Sequence, residues 1–301
     1  MRKEKYNQEL HWRAKRVSIL LLGVLTIAIG AAQAADSKPF FRQRTEQKSR
    51  DAGGTVVVNA ASFESGISPG GLATVFGIDL TSVNGVIVAG TNPLPTLLGG
   101  VQVIVNGLAA PIFSVAYANG EDQISFQVPY ETPVGPGAGF VRVLDHGFET
   151  ARLSVDSFTE DPGIFVYQGQ YAVALSGTDY SLIGPGNPTF PGEILLLYTT
   201  GLGPLSLNLT DGYGAPSNPL AYTVQPLQVV LDGENCRVFF SGLAPGFVGL
   251  YQVNFVVPND ARSGNLNLRI QSPFATSTDA TLPVESDGNR PERNSKSPIQ
   301  K

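Results

Sequence analysis

The chain repeats a short pattern of alternating apolar and polar residues, and two copies of it end on proline. The copies are Gln123-Ile-Ser-Phe-Gln-Val-Pro129 and Gln252-Val-Asn-Phe-Val-Val-Pro258. A period of two is typical of a β-strand with one buried face, and proline ends a strand because it has no N–H to donate. The pattern places one set of side chains in the core: Ile124, Phe126, Val128, Val253, Phe255 and Val257. The polar set lies on an outer face or between modules, and we interpret it as structural: Gln123, Ser125, Gln127, Gln252 and Asn254.

Similar runs fill the first half of the chain, separated by glycine, proline and Asn-Gly turns. No stretch keeps a helical period beyond two turns, so the class is all-β. The predicted strands are Thr55–Ser62, Leu72–Gly77, Gly85–Ala89, Val101–Val105, Ala110–Ala116, Gln123–Val128, Gly139–Leu144 and Thr150–Val155. Short strands at a spacing of about 8–12 residues favour a β-sandwich.

The second half repeats the landmarks of the first. Pro69-Gly70 returns as Pro191-Gly192, Asn106-Gly107 as Asp232-Gly233, and Val128-Pro129 as Val257-Pro258, at offsets of 122, 126 and 129 residues. A slowly growing offset is typical of duplicated domains with small loop insertions. The sequence therefore predicts two tandem immunoglobulin-like β-sandwiches, over residues 55–158 and 159–284, with the boundary near residues 158–161.

The N-terminus has the pattern of an export signal. Basic residues precede an uncharged apolar run, Val17 to Ala32, and Ala32-Gln33-Ala34 provides a cleavage pattern before Ala35. An uncleaved anchor is the alternative, because residues 17–35 could just span a bilayer. We predict a signal peptide at 1–34, a flexible spacer at 35–54 and a disordered tail at 285–301. Export implies a periplasmic, cell-surface or extracellular location.

Charge is distributed unevenly. Between Gly53 and Val284 there is no lysine, and five arginines against 17 acidic residues give a formal net charge of −12. Nucleic-acid binding depends on clustered lysine and arginine, so this composition argues against it. It also argues against an anionic membrane surface, and we expect no membrane insertion once the signal peptide is cleaved.

Few residues could carry catalysis. Cys236 is the only cysteine, and its strand-like surroundings favour a buried apolar role. His146 is the only histidine outside the signal peptide, and it lies in an Asp145-His146-Gly147 turn. We expect Asp145 not to orient it, because adjacent strand residues point to opposite faces. We predict no catalytic, cofactor-binding or metal-binding residue, and no enzyme activity.

Acidic residues and tyrosines offer weaker candidates. Glu121-Asp122 and Glu160-Asp161 are carboxylate pairs in predicted turns, where solvated acids are ordinary. Asp211-Gly-Tyr-Gly and Asp232-Gly-Glu234 could offer calcium ligands, but neither follows the spacing of a calcium loop, and we interpret them as turns. The tyrosines that could form a sugar-binding platform on loops are Tyr117, Tyr130, Tyr167, Tyr171, Tyr180 and Tyr213.

Several of these motifs occur together in one known family. They include Val58-Asn-Ala-Ala-Ser-Phe63, Ser68-Pro-Gly-Gly71, Leu98-Gly-Gly-Val-Gln-Val103, Gln123 to Pro129, Leu197-Tyr-Thr-Thr-Gly-Leu-Gly203 and Asp211-Gly-Tyr-Gly-Ala-Pro216. In this order they resemble the Solibacter-type C-terminal module of secreted acidobacterial proteins, from about Val57 to Pro283. Each half also resembles an IPT/TIG-type immunoglobulin-like domain. The resemblance implies export and a β-sandwich fold, and it supplies no catalytic residues.

These observations favour an exported, non-catalytic module for adhesion, scaffolding or envelope-associated binding, with a protein or a cell-envelope polysaccharide as partner. The alternative is a carbohydrate-binding or carbohydrate-active protein that uses loop tyrosines and carboxylates. A purely structural spacer is a third reading. The ligand, the oligomeric state and the relative orientation of the two domains stay open.

Overall fold

The computed structural model describes residues 54–286, and in this range the chain forms 19 β-strands and no helix. The all-β prediction is confirmed. No helix in the described range is long and apolar enough to cross a membrane. The predicted signal peptide, residues 35–53 of the predicted spacer and residues 287–301 of the predicted tail lie outside the described residues.

The first half forms two facing antiparallel sheets. Its strands are β1 (Val56–Asn59), β2 (Leu72–Gly77), β3 (Val86–Val88), β4 (Val101–Val105), β5 (Leu108–Ala110), β6 (Ile112–Ala118), β7 (Glu121–Gln127), β8 (Gly135–Asp145) and β9 (Phe148–Ser157). One sheet has the order β1-β2-β7-β6-β3 and the other β5-β4-β8-β9. These orders contain the ABED and CFG sheets of the immunoglobulin fold.

The second half repeats this arrangement. Its strands are β10 (Gly163–Ile164), β11 (Val166–Tyr167), β12 (Tyr171–Ala172), β13 (Ala174–Ser176), β14 (Ile194–Thr200), β15 (Gln228–Leu231), β16 (Glu234–Leu243), β17 (Tyr251–Val256), β18 (Gly264–Gln271) and β19 (Ala280–Val284). The order β10-β14-β17-β16 corresponds to ABED, and β15-β18-β19 to CFG. The two sheets share β16, whose first residues pair with β15 and whose remainder pairs with β17.

The alternating stretches lie where the pattern predicts. Gln123–Pro129 contributes to β7 and Gln252–Pro258 to β17, each in the interior of its sheet. The six predicted core side chains are fully buried: Ile124, Phe126, Val128, Val253, Phe255 and Val257. The period-two pattern thus predicts correctly which face of each strand packs inward.

Turn chemistry explains both the agreement and the differences in strand bounds. Asn106-Gly107 and Asp232-Gly233 each have positive φ at both residues, which is the conformation of a tight hairpin. The predicted strand Ala110–Ala116 is divided in two, because Pro111 interrupts the ladder. β8 and β9 are longer than predicted, because their pairing extends from Asp145 and Phe148 at the turn to Gly135 and Ser157 at the other end.

The two sandwiches meet at an apolar contact. Leu72 and Ala61 of the first pack in one cluster with Tyr198, Ala244 and Leu250 of the second. Within this contact the backbone N–H of Leu72 donates to Thr200 Oγ1 (2.8 Å), and the Thr200 hydroxyl donates to the carbonyl of Gly249 (2.9 Å). Both bonds are buried, so the side chain of Thr200 fixes the two sandwiches against each other.

A second set of junction contacts involves the loop that follows residue 210. The N–H of Gly212 donates to Gln127 Oε1 (2.7 Å), and the N–H of Tyr130 donates to Asp211 Oδ1 (3.0 Å). Gln127 is fully buried. The sequence analysis left two locations for the polar residues of this strand, an outer face or the boundary between the modules. Gln127 lies between the modules.

Asp161 closes the junction at the start of the second sandwich. Asn59 Nδ2 donates to the backbone carbonyl of Asp161 (2.7 Å) and to its Oδ2 (3.2 Å). Burial raises the pKa of Asp161 to about 6, although the hydrogen bond from Asn59 acts in the opposite direction. A carboxyl whose pKa rises on folding favours the folded state only while it is protonated.

Stability should therefore depend on pH through Asp161. Between a pKa near 3.9 in the unfolded chain and about 6 in the folded one, the folded state binds more protons, so this contribution is lost as pH rises. We expect the free energy of unfolding of Asp161→Asn, taken relative to that of the wild type, to rise by about 2–3 kcal/mol from pH ~4 to pH ~7. Urea unfolding of both proteins at the two pH values measures this difference. The exposed control Asp260→Asn should show no such change, and a constant difference for Asp161→Asn would contradict the prediction.

Candidate functional site

His146 lies near two groups that could suggest a catalytic triad. Its Nδ1 is 3.0 Å from Asp145 Oδ1 and 3.5 Å from Ser82 Oγ. The expectation that Asp145 would not orient His146 was wrong, because His146 has the positive φ of a turn residue (49°), so the alternation of a strand does not apply to this pair. Both partners approach the same ring nitrogen, whereas a triad needs the acid on one nitrogen and the hydroxyl on the other. The contact therefore stabilises a turn.

The carboxylate pairs are less solvated than predicted. Asp122 is only 2% exposed and lies in β7, where its Oδ2 accepts a hydrogen bond from the N–H of Leu80 (2.8 Å). Glu160 is only 4% exposed, and both of its oxygens lack a hydrogen-bond partner within the described residues. The prediction of solvated turns was wrong here, because Asp122 holds a neighbouring loop and Glu160 lies inside the junction over Gly203.

The two calcium candidates are used in other ways. Asp211 accepts the junction hydrogen bond from Tyr130, and burial raises its pKa. Asp232 accepts two hydrogen bonds from Arg262 (2.6 and 3.0 Å), which lower its pKa. Across residues 54–286, no group of three or more acidic, histidine or cysteine side chains is arranged to hold a metal ion.

Cys236 points from β16 into the core of the second sandwich, as the sequence predicts. Burial raises the pKa of its thiol to about 12. Since only the thiolate is an effective nucleophile, the folded protein should not react with iodoacetamide at about pH 8, whereas the urea-unfolded chain should. Mass spectrometry of the alkylated protein measures both. Rapid alkylation of the folded chain would contradict this burial.

The candidate tyrosines do not share one environment. Tyr117 lies on β6, and Tyr213 and Tyr180 lie in loops; all three are exposed. Tyr167 is buried in β11 and donates its hydroxyl to the carbonyl of Ile183 (2.8 Å). Tyr130 is enclosed in the junction, and burial raises the pKa of its hydroxyl. Tyr171 lies in β12 and is half-buried, with its ring centroid 5.7 Å from that of Tyr167. The loop-tyrosine platform stays a prediction for the three exposed residues, Tyr117, Tyr180 and Tyr213.

A further surface lies on the outer face of β14, β17 and β16, and it includes Gln252 and Asn254, which the sequence analysis interpreted as structural. Residues paired across an antiparallel sheet present their side chains on the same face. The register gives one row of Ile194, Val256 and Arg237, a second of Leu196, Asn254 and Phe240, and a third of Tyr198, Gln252 and Gly242. The part of this surface that solvent reaches is exposed at Ile194, Arg237, Phe239 and the neighbouring Tyr222 and half-buried at the other positions. We name it the amide–aromatic face: Ile194, Leu196, Val256, Arg237, Phe239, Phe240, Asn254, Gln252 and Tyr222.

Aromatic side chains line one edge of this face. The register between β16 and β17 shifts at Val238 and Phe240, so Phe239 is an extra residue that bulges outward and is 48% exposed. Tyr222, which is 46% exposed, packs edge-on against Phe240 with ring centroids 5.4 Å apart. Bulges commonly redirect a side chain, and this one places a second phenylalanine at the surface.

Polar groups of this face still have free hydrogen-bonding capacity. Gln252 Nε2 donates to Asn254 Oδ1 (2.7 Å), which leaves Gln252 Oε1 and Asn254 Nδ2 without a partner among the described residues. Arg237 lies over the ring of Phe239, 4.6 Å from its centroid. Of the five arginines in the described range it alone has no carboxylate partner, since Arg142, Arg152, Arg262 and Arg269 are all paired.

The amide–aromatic face continues from the junction. Tyr198 shares the face but is 2% exposed, because it packs in the cluster with Leu72 of the first sandwich. Ile194, two rows away on the same strand, is 46% exposed. The first sandwich thus covers one end of the sheet and fixes its position, while the other end lies open. The bulge had a signal in the sequence, namely the pair of adjacent phenylalanines, Phe239 and Phe240, in a strand-like run.

Comparison with known proteins gives the following. No family model matches the chain, and no curated protein matches it. Among solved structures, the chain is 11% identical to the glucan utilization protein SGBP-B of Bacteroides ovatus, solved with a mixed-linkage heptasaccharide, with a TM-score of 0.29 over 74% of this chain and 45% of that one. It is 10% identical to the I9–I11 tandem of titin, with a TM-score of 0.21 over 73% of this chain and 62% of that one. It is 13% identical to the titin tandem A164–A165, with a TM-score of 0.17 over 74% of this chain and 92% of that one. The chain covers less than two thirds of the length of SGBP-B and of the I9–I11 titin tandem.

Proposed function

We propose that this chain is an exported, non-catalytic β-sandwich module that acts in adhesion, scaffolding or envelope-associated binding. The observation that carries the proposal is the amide–aromatic face, a partly exposed surface on a three-stranded part of a sheet. Its aromatic rings and its unpaired arginine are the side chains most enriched at binding surfaces. The junction supports the proposal, because it joins the two sandwiches through buried bonds at Thr200 and Gln127.

The candidate chemical groups support a role without catalysis. The Ser82–His146–Asp145 contact uses a single ring nitrogen, and Asp122 and Asp161 accept hydrogen bonds that hold the fold. Each of these five groups thus has a structural use that accounts for its position. The carbohydrate alternative gains from the amide–aromatic face rather than from the loop tyrosines, which lie on separate elements. Export and the resemblance to secreted modules are parts of the same proposal.

Cosedimentation of the purified chain with isolated cell-envelope fractions tests this function. We expect the wild type to be retained and the double variant Tyr222→Ala/Phe239→Ala to stay in the supernatant. Phe274→Ala removes a side chain that is 70% exposed and lies outside the face, so it is a matched control and should be retained. If the wild type is not retained at all, the binding role fails and the hypothesis of a purely structural spacer is favoured.

A further inference from the structure

We infer that the amide–aromatic face binds a neutral polysaccharide chain built from sugars with equatorial hydroxyls. This inference rests on the proposed function and specifies the ligand of the same surface. Three features support it: the size of the face, the type of its polar groups and the charge that surrounds it.

The size of the face favours a polymer segment over a folded protein. Three strands about 4.8 Å apart and three rows about 7 Å apart set an upper bound on the order of 300 Å² for this area, since the third row is partly covered at Tyr198. A standard protein–protein interface buries roughly 800 Å² on each partner, so this area alone cannot hold a second copy of the chain. Since the first sandwich already covers the Tyr198 end, the face cannot extend in that direction. A narrow, extended ligand matches these dimensions.

The side chains match the two kinds of surface that a sugar ring offers. The axial C–H groups of a pyranose form an apolar patch that packs against an aromatic ring, and Tyr222, Phe239 and Phe240 supply such rings. Its equatorial hydroxyls both donate and accept hydrogen bonds. Asn254 Nδ2 can donate to them and Gln252 Oε1 can accept from them, because neither atom is used within the described fold. The Arg237 guanidinium can span two neighbouring hydroxyls with its planar fork.

The negative charge of the domains around the face favours a neutral polymer over an acidic one. The rows of the face contain no carboxylate, but residues 53–284 carry a formal net charge of −12. A field of this sign repels a polyanion before it reaches the surface, and one arginine cannot offset it. A neutral chain meets no such barrier. Its binding should therefore depend little on salt.

The test uses the purified chain with three soluble probes: a neutral β-linked glucan, a neutral α-linked glucan and a polyuronate. Affinity electrophoresis and titration calorimetry measure binding at low and at ~0.5 M salt. We expect a neutral glucan to bind with little salt dependence and the polyuronate not to bind. Binding of the polyuronate alone would overturn the inference.

Variants locate the site. Tyr222→Ala and Phe239→Ala should each weaken binding about threefold to tenfold, whereas Phe274→Ala should change it less than about twofold. Arg237→Lys keeps the charge but removes the planar fork, so it should weaken binding if the fork holds two hydroxyls. Unchanged melting temperatures show that the variants are folded. If the variants bind like the wild type, or if envelope fractions retain the chain but no neutral glucan binds, the inference fails. In the second case the proposed function stands.

Discussion

Replacing Gly201 with alanine is expected to be among the most destabilising single changes in this protein. Gly201 has a φ of +74°, and an added Cβ would overlap the backbone carbonyl of Asp161, whose N–H donates to Gly201 O (2.9 Å). The left-handed backbone alone costs an alanine about 1–2 kcal/mol. The overlap must also displace a main-chain segment of the junction, so we expect a total loss of at least ~3 kcal/mol. Urea unfolding followed by fluorescence measures it.

Gly107→Ala is the matched control. Gly107 also has a positive φ, +86°, but nothing lies within 4 Å of the Cβ that alanine would add. It should lose only the conformational cost of about 1–2 kcal/mol. The difference between the two variants then isolates the steric overlap at the junction. Equal losses for Gly201→Ala and Gly107→Ala would show that the junction tolerates the displacement and that our description of it is wrong.

The second large effect is expected in the two alternating strands. Phe126→Ala and Phe255→Ala each remove a fully buried ring from the core of one sandwich. Truncating a buried phenylalanine typically costs about 3–5 kcal/mol, because it loses burial and leaves a cavity. We expect both variants to lose this amount in denaturant unfolding.

Phe274→Ala provides the comparison, since its ring is 70% exposed. A surface substitution of this kind should change stability by no more than about 0.5 kcal/mol. Losses near this value for Phe126→Ala or Phe255→Ala would mean that the ring is not a core element. A large loss for only one of the two would show that the duplicated strands differ in their contribution to stability.

Local patterns predicted the strand framework well. β2 and β4 have the predicted bounds, because an alternating run between turn residues is determined by neighbours in the chain. The hairpins at Asn106-Gly107 and Asp232-Gly233 followed for the same reason, since both residues of each pair adopt positive φ. The inward position of Phe126 and Phe255 needed only the period of two.

Polar side chains were predicted less well, because their environment depends on distant partners. Asp161 is half-buried and accepts a hydrogen bond from Asn59, 102 residues earlier in the chain. Asp122 holds the N–H of Leu80, which is 42 residues away. No periodicity in the sequence records such pairings, so both residues read as ordinary solvated acids. His146 was misjudged on geometry, because its positive φ belongs to a turn and not to a strand.

The sequence by itself determined the all-β class, the duplication and the buried face of each strand, since these follow from short-range alternation and turn chemistry. Only the tertiary structure decided what the polar face of the repeated strand does. Packing against the second sandwich buries Gln127 in the junction, whereas the same face of the later strand leaves Gln252 and Asn254 only half-buried beside Phe240. The two strands have similar sequences, but burial depends on what packs against a surface, and that is fixed by contacts far apart in the chain.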